Sequence, residues 1–499
     1  MALAISKKEA SLLKRIRGLL PTAGVDAYLV GGWVRDHLLG RKTRDIDIAV
    51  GVSALGFARQ AAAALDGHYV LLDEAEGIAR VVLVESGEDG ETQWHLDFST
   101  IRGTIESDLS HRDFTVDAMA IDLSNIGKRP PPRLIDPFSG KKDLKAGLIR
   151  AVSPSIFEDD PARLIRGVRL AAEYGFSIDA DTEALMSRQS HLINQVAGER
   201  VREELCRILS VGNASHFIFY LDRLGLLTAI IPELTFTKGV DQPHEHYWDV
   251  FNHSVQSVAK LERLLNKTTG AEMLGLAPHL EPHIGDFDEE ISPDLTRGGL
   301  VKLAILLHDI AKPQTKTLEP DGRAHFFGHP TQGAEAAGGV MQRLRFSNRE
   351  IKMVQKMIES HLRLWQMGGD QGLPTRRAIY RYFRDTADVS VDIMFLTLAD
   401  FLATQGPNLD IAEWERHSRL MEYVLAQRDE DETVAAPPKL IDGHDLMREF
   451  GLKPGPKIGE ILEAVREAQG AGELSTKEDA LALARKRLAK RQPRSKVIS

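Results

Sequence analysis

Residues 29–50, LVGGWVRDHLLGRKTRDIDIAV, constrain the fold more than any other stretch of the chain. Gly31 and Gly32 break a short apolar strand and open a helix, and the chain returns in DIDIAV, where polar and apolar residues alternate. Alternation with period two is the mark of a half-buried strand, so Asp45 and Asp47 share one face while Ile46 and Ile48 take the other. Two aspartates held side by side repel one another and lose hydration unless a cation neutralises them, and hard carboxylate oxygens suit Mg²⁺. The glycines let backbone N–H groups come close to a phosphate at the start of the helix that carries Arg35 and Asp36. A phosphate cradle beside metal-binding carboxylates is the equipment of nucleotidyl transfer. Either half alone would fit an ordinary turn or strand end; together, and with the parts below, they point to a site.

At 499 residues the chain exceeds what one core organises, so two to four domains are expected. The single cysteine, Cys206, excludes an internal disulfide framework and fits a reducing, cytoplasmic setting. The first twenty residues read as an amphipathic helix, and no apolar run is long enough to span a membrane. A net charge of −9 argues against indiscriminate coating of nucleic acid, while leaving room for a local basic track that holds one structured RNA.

Residues 1–50 read as helix, strand, Gly-Gly turn, helix and strand, followed by a helix near 54–66 and strands near 68–73, 78–84 and 94–100. Beyond residue 140 the pattern turns helical, with 3.6-period apolar faces in ARLIRGVRLAAEYGF, GERVREELCRILS and HFIFYLDRLGLL. The fold class expected is therefore α+β, a mixed-sheet head followed by all-α domains. The boundaries drawn are a head at 1–150, a helical neck at 151–235, a helical domain at 236–428 with an acidic, Pro/Gly-broken loop inserted at about 266–297, a linker at 428–439, and a helical tail at 439–499.

Asp97, in WHLDFSTIRG, is the natural third carboxylate for a two-metal centre, though an exposed strand aspartate would look the same. Arg35, Arg44 and Arg112 are the basic residues chosen to complete phosphate binding. Asp160 and Arg163, three apart at the start of a helix, would share a face, as a surface ion pair also would.

These segments resemble the class II tRNA nucleotidyltransferase and bacterial poly(A) polymerase family, within the polymerase-β-like nucleotidyltransferase superfamily. The resemblance implies a two-metal Mg²⁺ site at Asp45, Asp47 and Asp97, and substrates ATP, CTP and tRNA. HRDFTVDAM (111–119) is similar to the family's Arg-Arg-Asp-Phe-Thr-x-Asn-Ala motif, which contacts ribose and triphosphate, and assigns Arg112, Asp113 and Asp117 to nucleotide binding. His111 stands for its first Arg and Asp117 for its Asn, and a carboxylate accepts from a ribose hydroxyl without being able to donate. FEDDPARLIRGVRL resembles the motif in which a carboxylate and a guanidinium read the incoming base, implying that role for Asp160 and Arg163 and supporting contacts from Arg166 and Arg169. LIDPFSGKKDLKAGLIR resembles the hinge between head and neck, and GERVREEL the following motif, with Glu199 and Arg200. In CCA-adding members a flexible loop separates the third carboxylate from the Arg-Asp-Phe-Thr motif. Here only FSTIRGTIESDLSH intervenes, which leads to the expectation of an enzyme that stops after CC or needs a partner for the terminal A.

A second constellation lies in residues 253–400: His253, the adjacent His308 and Asp309, His329, His361 and Asp400. A lone histidine on an apolar helix is ordinarily a core residue. The aspartate of an apolar HD pair is costly to bury unpaired, and His and Asp on separate helices of one bundle make a metal site. The order H, HD, H, H, D resembles the HD-domain phosphohydrolases, which implies a divalent metal such as Mn²⁺, Ni²⁺ or Mg²⁺ and hydrolysis of phosphate monoesters or cyclic phosphates. LIDGHDLMREFGLKPGPKIGEILEAVREAQ (440–469), with the turn Pro454-Gly455-Pro456, is similar to the tail of family members; the basic run from Arg485 to Lys496 reads as a solvated tail able to touch RNA backbone. Two other readings compete: a bacterial poly(A) polymerase, and an HD phosphohydrolase whose head only binds nucleotides. Nothing in the sequence fixes the oligomeric state.

Overall fold

The computed structural model describes residues 5–20, 25–87, 90–126, 133–243, 246–266, 280–320, 323–367, 372–430 and 439–490. The chain forms two compact units, one of residues 1–196 with 220–230 and the other of residues 197–219 with 231–499. These are coarser than the expected four-part division, and the segment expected as a neck contributes to both.

In the first unit, α1 (Lys7–Gly18), β1 (Ala27–Val30), α2 (Gly31–Leu38), β2 (Asp45–Val50) and α3 (Ala54–Leu65) precede β3 (His68–Asp73), β4 (Ile78–Gly87) and β5 (Gly90–Thr100). Then come α4 (Ile105–Ser110), β6 (Ala120–Asp122), β7 (Leu134–Ile135), α5 (Gly140–Ala146), α6 (Ile156–Asp159) and α7 (Arg163–Tyr174). The seven strands make one sheet in the order β3-β4-β5-β2-β1-β6-β7. Every pair is antiparallel except β2 and β5, which run parallel with Asp45 opposite His95 and Asp47 opposite Asp97. Period-two alternation sorts the two faces of these central strands. Ile46, Ile48, Leu96 and Phe98 are fully buried on one, where Phe57 of α3 meets Phe98 edge-on with 5.4 Å between ring centres. Asp45, Asp47 and Asp97 project from the other.

Helix α1 begins with a capping box between Ser6 and Glu9. Glu9 also accepts from the Trp33 indole at 2.7 Å, and Trp33 stacks on His37 with ring centres 3.8 Å apart, so the first helix fixes the one that follows the Gly-Gly turn.

The second unit is helical apart from two short hairpins. Its helices include Val250–Leu265, Arg297–Leu307, His329–Arg343, Asn348–Ser360, Ser390–Thr404 and Ile411–Glu430. The stretch expected as an inserted loop is partly structured: residues 280–296 form a 3₁₀ turn (Glu281–Asp288) and a hairpin of Glu290–Ser292 with Leu295–Thr296, capped by Thr296 onto the next helix. Residues 267–279 of that stretch, 431–438 of the expected linker and 491–499 of the basic run lie outside the described residues. Near the end, Ile441, Leu446, Ile458, Ile461, Val465, Ala480 and Ala484 enclose a core of their own, and Gly455 caps the helix Pro456–Gly470 as the Pro-Gly-Pro turn requires. No helix among the described residues is long and apolar enough to cross a membrane.

Gly140 starts α5 with its Cα against the Thr115 backbone: a Cβ there would come within 1.9 Å of the Thr115 oxygen. That contact seats the turn holding Asp113 and Asp117. Gly140→Ala is expected to destabilise the protein by about 1–3 kcal/mol, as overpacking against backbone does, and a thermal melt unchanged from wild type would contradict the packing described.

Candidate active sites

The Gly-Gly turn is built to approach what it faces. Gly31 holds φ +60°, and a Cβ on it would fall 2.8 Å from Arg112 Nη1 and 3.4 Å from Asp47 Oδ2. Gly32 is similarly close to Arg35 and Asp47. The cap residue Val30 has no side chain to satisfy the first N–H groups of α2, so they remain available to an anion, apart from Trp33 N–H, which donates to Asp47 Oδ2 at 3.4 Å.

The three carboxylates differ in setting. Asp45 is the most open and is joined by His95 Nδ1 at 2.9 Å. Asp97 accepts both arms of the Arg80 guanidinium, Nε at 2.7 Å and Nη2 at 2.8 Å. Asp47 sits between: burial, then the charge of Asp97 across the strand pair, pushes its carboxyl up to about 6, against the pull of Arg112. A carboxylate held reluctantly ionised beside two others fits a cation, and Asp45, Asp47 and Asp97 are the residues that would hold it.

The basic residues chosen from sequence divide. Arg44 is exposed and Arg112 half-buried beside Gly31, whereas Arg35 is buried with Nη1 2.6 Å from Asp117 and Nε 3.1 Å from Asp36, over the Tyr174 ring. Arg35 is thus committed to protein partners instead of open to a triphosphate, and Asp117 is turned inward, where burial raises its carboxyl despite Arg35. Asp113 is buried too; it accepts from Phe114 N–H and pairs with Arg166 Nε at 2.7 Å, which with the neighbouring cations outweighs burial and holds it below the usual range. Arg169 is buried and pairs with Glu173 at 2.7 Å. Helix α7 begins at Arg163, not at Asp160: Asp160 is extended, ending α6, and its Oδ1 accepts from Ala162 N–H at 3.2 Å. Arg163 is anchored to the carbonyls of His111 (2.8 Å) and Ile156 (3.4 Å), which ties the segment expected to read the base to the HRDFT turn.

In the second unit the six residues expected to bind a metal converge. His308 and His361 cap the C-termini of Arg297–Leu307 and Asn348–Ser360, His329 opens the helix His329–Arg343, and His253 and Asp400 lie within Val250–Leu265 and Ser390–Thr404. In His308, His329 and His361, Nδ1 is fixed by the carbonyl three residues earlier, at 2.6, 2.7 and 2.6 Å, which turns each Nε2 inward. His253 Nε2 lies 2.8 Å from Asp400 and 3.7 Å from Asp309; His308 Nε2 lies 3.1 Å from Asp309, and His329 Nε2 3.5 Å from it. Ligand atoms of His253, His308 and Asp400, and of His308, Asp309 and His361, fall within 4.8 Å of one another. Burial alone would lower His308, yet Asp309 and Asp400 hold it at about 10, while burial and His308 push His361 down to about 4. The interior calls for positive charge: Asp309 and Asp400 are buried among inward-facing imidazole nitrogens of His253, His308, His329 and His361, and this donor set fits a divalent ion. A cavity of about 440 Å³, lined by Asp309, His329, His361, Asp400, Lys312 and His246, opens onto it.

Sequence reasoning passed over Lys312, whose Nζ reaches Asp309 at 2.6 Å; its place three residues after Asp309 was the available signal. Arg80 was passed over as well, because only the β4–β5 register sets it opposite Asp97.

A glycine-opened helix facing three carboxylates on paired strands defines the head as a nucleotidyltransferase fold. Residues 27–150 match the family model of the poly A polymerase head domain, 175–237 that of the probable RNA and SrmB-binding site of polymerase A, and 326–484 that of tRNA nucleotidyltransferase domain 2. The A-adding tRNA nucleotidyltransferase of Deinococcus radiodurans is 34% identical over 94% of this chain and 97% of its own length. The CC-adding tRNA nucleotidyltransferase of Thermus thermophilus is 31% identical over 92% of each. The Thermotoga maritima CCA-adding enzyme complexed with tRNA superposes with a TM-score of 0.61 at 25% identity, covering 97% of this chain and 96% of that one. The chain belongs to the class II tRNA nucleotidyltransferase family.

The raised Asp47 carboxyl carries a signed consequence for the metal-free protein. A folded-state value near 6 against an unfolded value of 3.8 means that ionised Asp47 opposes folding, by at most about 3 kcal/mol at pH 7. Stability from this group is therefore gained as pH falls through 6 and lost as pH rises through it. In EDTA, Asp47→Asn should melt higher than wild type at pH 7, with the difference vanishing towards pH 4; a lower melting temperature at pH 7 would show the charge to be fully compensated.

Proposed function

We propose that this chain extends the 3′ end of tRNA with nucleotides from CTP or ATP, and carries in its helical unit a separate metal-dependent phosphohydrolase centre. The observation that carries the first part is the parallel β2–β5 register, which brings Asp47 and Asp97 level beside Asp45 and opposite the Gly31–Gly32 turn. The named activities of relatives matched along nearly their whole length support the same reading.

In this reading Asp45, Asp47 and Asp97 would hold divalent cations, which would supply positive charge for the triphosphate and the attacking 3′-hydroxyl. The free N–H groups of α2 and the Arg112 guanidinium orient the phosphates from the opposite side. Arg163 and Asp160 present donors and an acceptor to the base, each contact discriminating by roughly 1–3 kcal/mol. Arg35, inside the Asp36–Asp117–Tyr174 network, positions the turn instead of touching substrate. In the helical unit His253, His308, Asp309, His329, His361 and Asp400 would hold a divalent metal, which would supply Lewis acidity for the hydrolysis of a phosphoester. Lys312, beside Asp309 at the cavity wall, is placed to meet the anionic phosphoester.

The two chemistries should separate. Asp47→Ala is expected to abolish nucleotide addition and leave hydrolysis of a simple phosphoester unchanged, and Asp309→Ala to do the reverse; loss of both activities in either variant would refute two independent centres.

For the nucleotides added, we infer CC. The fourteen residues FSTIRGTIESDLSH are taken up by the end of β5, the Thr104-capped α4 and its His111 cap, which leaves no long segment to reshape the pocket from C to A. The 34% identity to an A-adding relative favours A addition as the second reading. Sequencing the products from tRNA ending at the discriminator base, and from tRNA ending in CC, with both nucleotides present decides it: CC on the first and nothing on the second is expected, while efficient A on the second rejects an enzyme that stops after CC.

A further inference from the structure

Arg80 has no part in the roles assigned so far, yet it touches the carboxylate centre. The antiparallel register of β4 and β5 sets it directly across from Asp97, and its Nε and Nη2 take one oxygen each in a parallel fork at 2.7 and 2.8 Å. This is the geometry in which a guanidinium grips a carboxylate best. Both side chains remain partly open to solvent, at 33% and 22% exposure, so the pair sits at the mouth of the site and not in the core. The guanidinium also feels the charges of Asp45 and Asp47. With both oxygens of Asp97 engaged by Arg80, and Asp45 engaged by His95, a metal ion entering the metal-free site competes with Arg80 for the charge of Asp97.

We propose that Arg80 is the counter-ion of the carboxylate centre, a positioning residue that holds Asp97 until nucleotide arrives and then transfers its fork to the triphosphate as metal takes the carboxylate. The proposal rests on the reading of Asp45, Asp47 and Asp97 as metal ligands. Its consequence is an order of events. Metal alone has to expel a guanidinium that has nowhere to go, whereas metal arriving with a triphosphate offers it new anionic oxygens. Binding of metal and nucleotide to the head is therefore coupled, and the coupling resides in one side chain.

Mn²⁺ titration followed by electron paramagnetic resonance tests this in the full chain carrying Asp309→Ala, which disables the helical centre. Without nucleotide, Arg80→Ala should bind Mn²⁺ at least about tenfold more tightly than its parent, a modest outcome for removing a unit charge a few ångströms away at an effective dielectric constant of about 20. Added CTP should tighten Mn²⁺ in the parent and far less in Arg80→Ala. Arg80→Lys, which keeps the charge and loses the fork, should stay closer to the parent in Mn²⁺ affinity. In steady-state assays with the HD pair intact, Arg80→Ala should raise the nucleotide KM several-fold more than it lowers kcat. Unchanged or weaker Mn²⁺ binding by a folded Arg80→Ala chain overturns the proposal. If instead Asp47→Ala leaves the parent's Mn²⁺ isotherm unaltered, the ligand assignment itself fails, and that result is distinct from any behaviour of Arg80.

Discussion

The one parallel strand pair in the seven-stranded sheet, β2 against β5, is what the candidate active site depends on. Antiparallel partners would still have brought carboxylates together, but the parallel register sets Asp47 level with Asp97 and leaves Asp45 at the solvent end of the same face. Ile46, Ile48, Leu96 and Phe98 lock that register from behind, since a slip by one residue would turn buried side chains to solvent and the aspartates into the core. Apolar burial on one face thus holds like charges together on the other, against their mutual repulsion.

The charges around this pair are managed by cations drawn from different elements. Arg80 comes from β4, Arg112 from the turn after α4, and Arg35 from α2, where it sits buried between Asp36 and Asp117. The altered HRDFTVDA segment makes sense in these terms. An aspartate at 117 in place of an amide brings a second negative charge into a buried turn, and Arg35 answers it at 2.6 Å; the pair braces the turn that also carries Asp113 and, through the His111 carbonyl, Arg163. Removing one member of such a pair strands its partner's charge in a buried site, so the two positions are best regarded as a single unit.

Much of this was legible in the sequence, and the limit falls at long-range pairing. The alternation in DIDIAV gave the strand and its two faces, the helix breaks around 54–66 and the later strands came out close to their observed bounds, and the order of histidines and aspartates in 253–400 gave all six side chains that converge in the helical unit. What could not be read was which side chain each charged residue would choose. Arg35, Arg166 and Arg169 look alike on paper as nucleotide-binding residues, but tertiary packing hands them to Asp117, Asp113 and Glu173. Arg80 lies seventeen residues from Asp97 across a hairpin, and only the register of that hairpin makes them neighbours. Asp160 seemed to belong to the helix it precedes, because Pro161 at a helix entry leaves the first turn undetermined by pattern alone.

The two centres solve the same electrostatic problem in opposite ways. In the helical unit the acids are buried with imidazoles, of which His308 and His361 have Nδ1 tied to a carbonyl of their own helix; those donor atoms are fixed in place before a cation arrives, and both histidines sit at helix C-termini, where the backbone dipole favours positive charge. Such a site pays its desolvation cost on folding. In the head Asp47 is buried, while Asp45 and Asp97 lie nearer solvent and are held by the side chains of His95 and Arg80. A rigid donor cage suits a resident metal that activates water turnover after turnover. An exchangeable one suits a metal that enters and leaves with each nucleotide, and that difference follows from where the counter-charges are anchored: on backbone carbonyls in one centre, and on the movable side chains of Arg80 and His95 in the other.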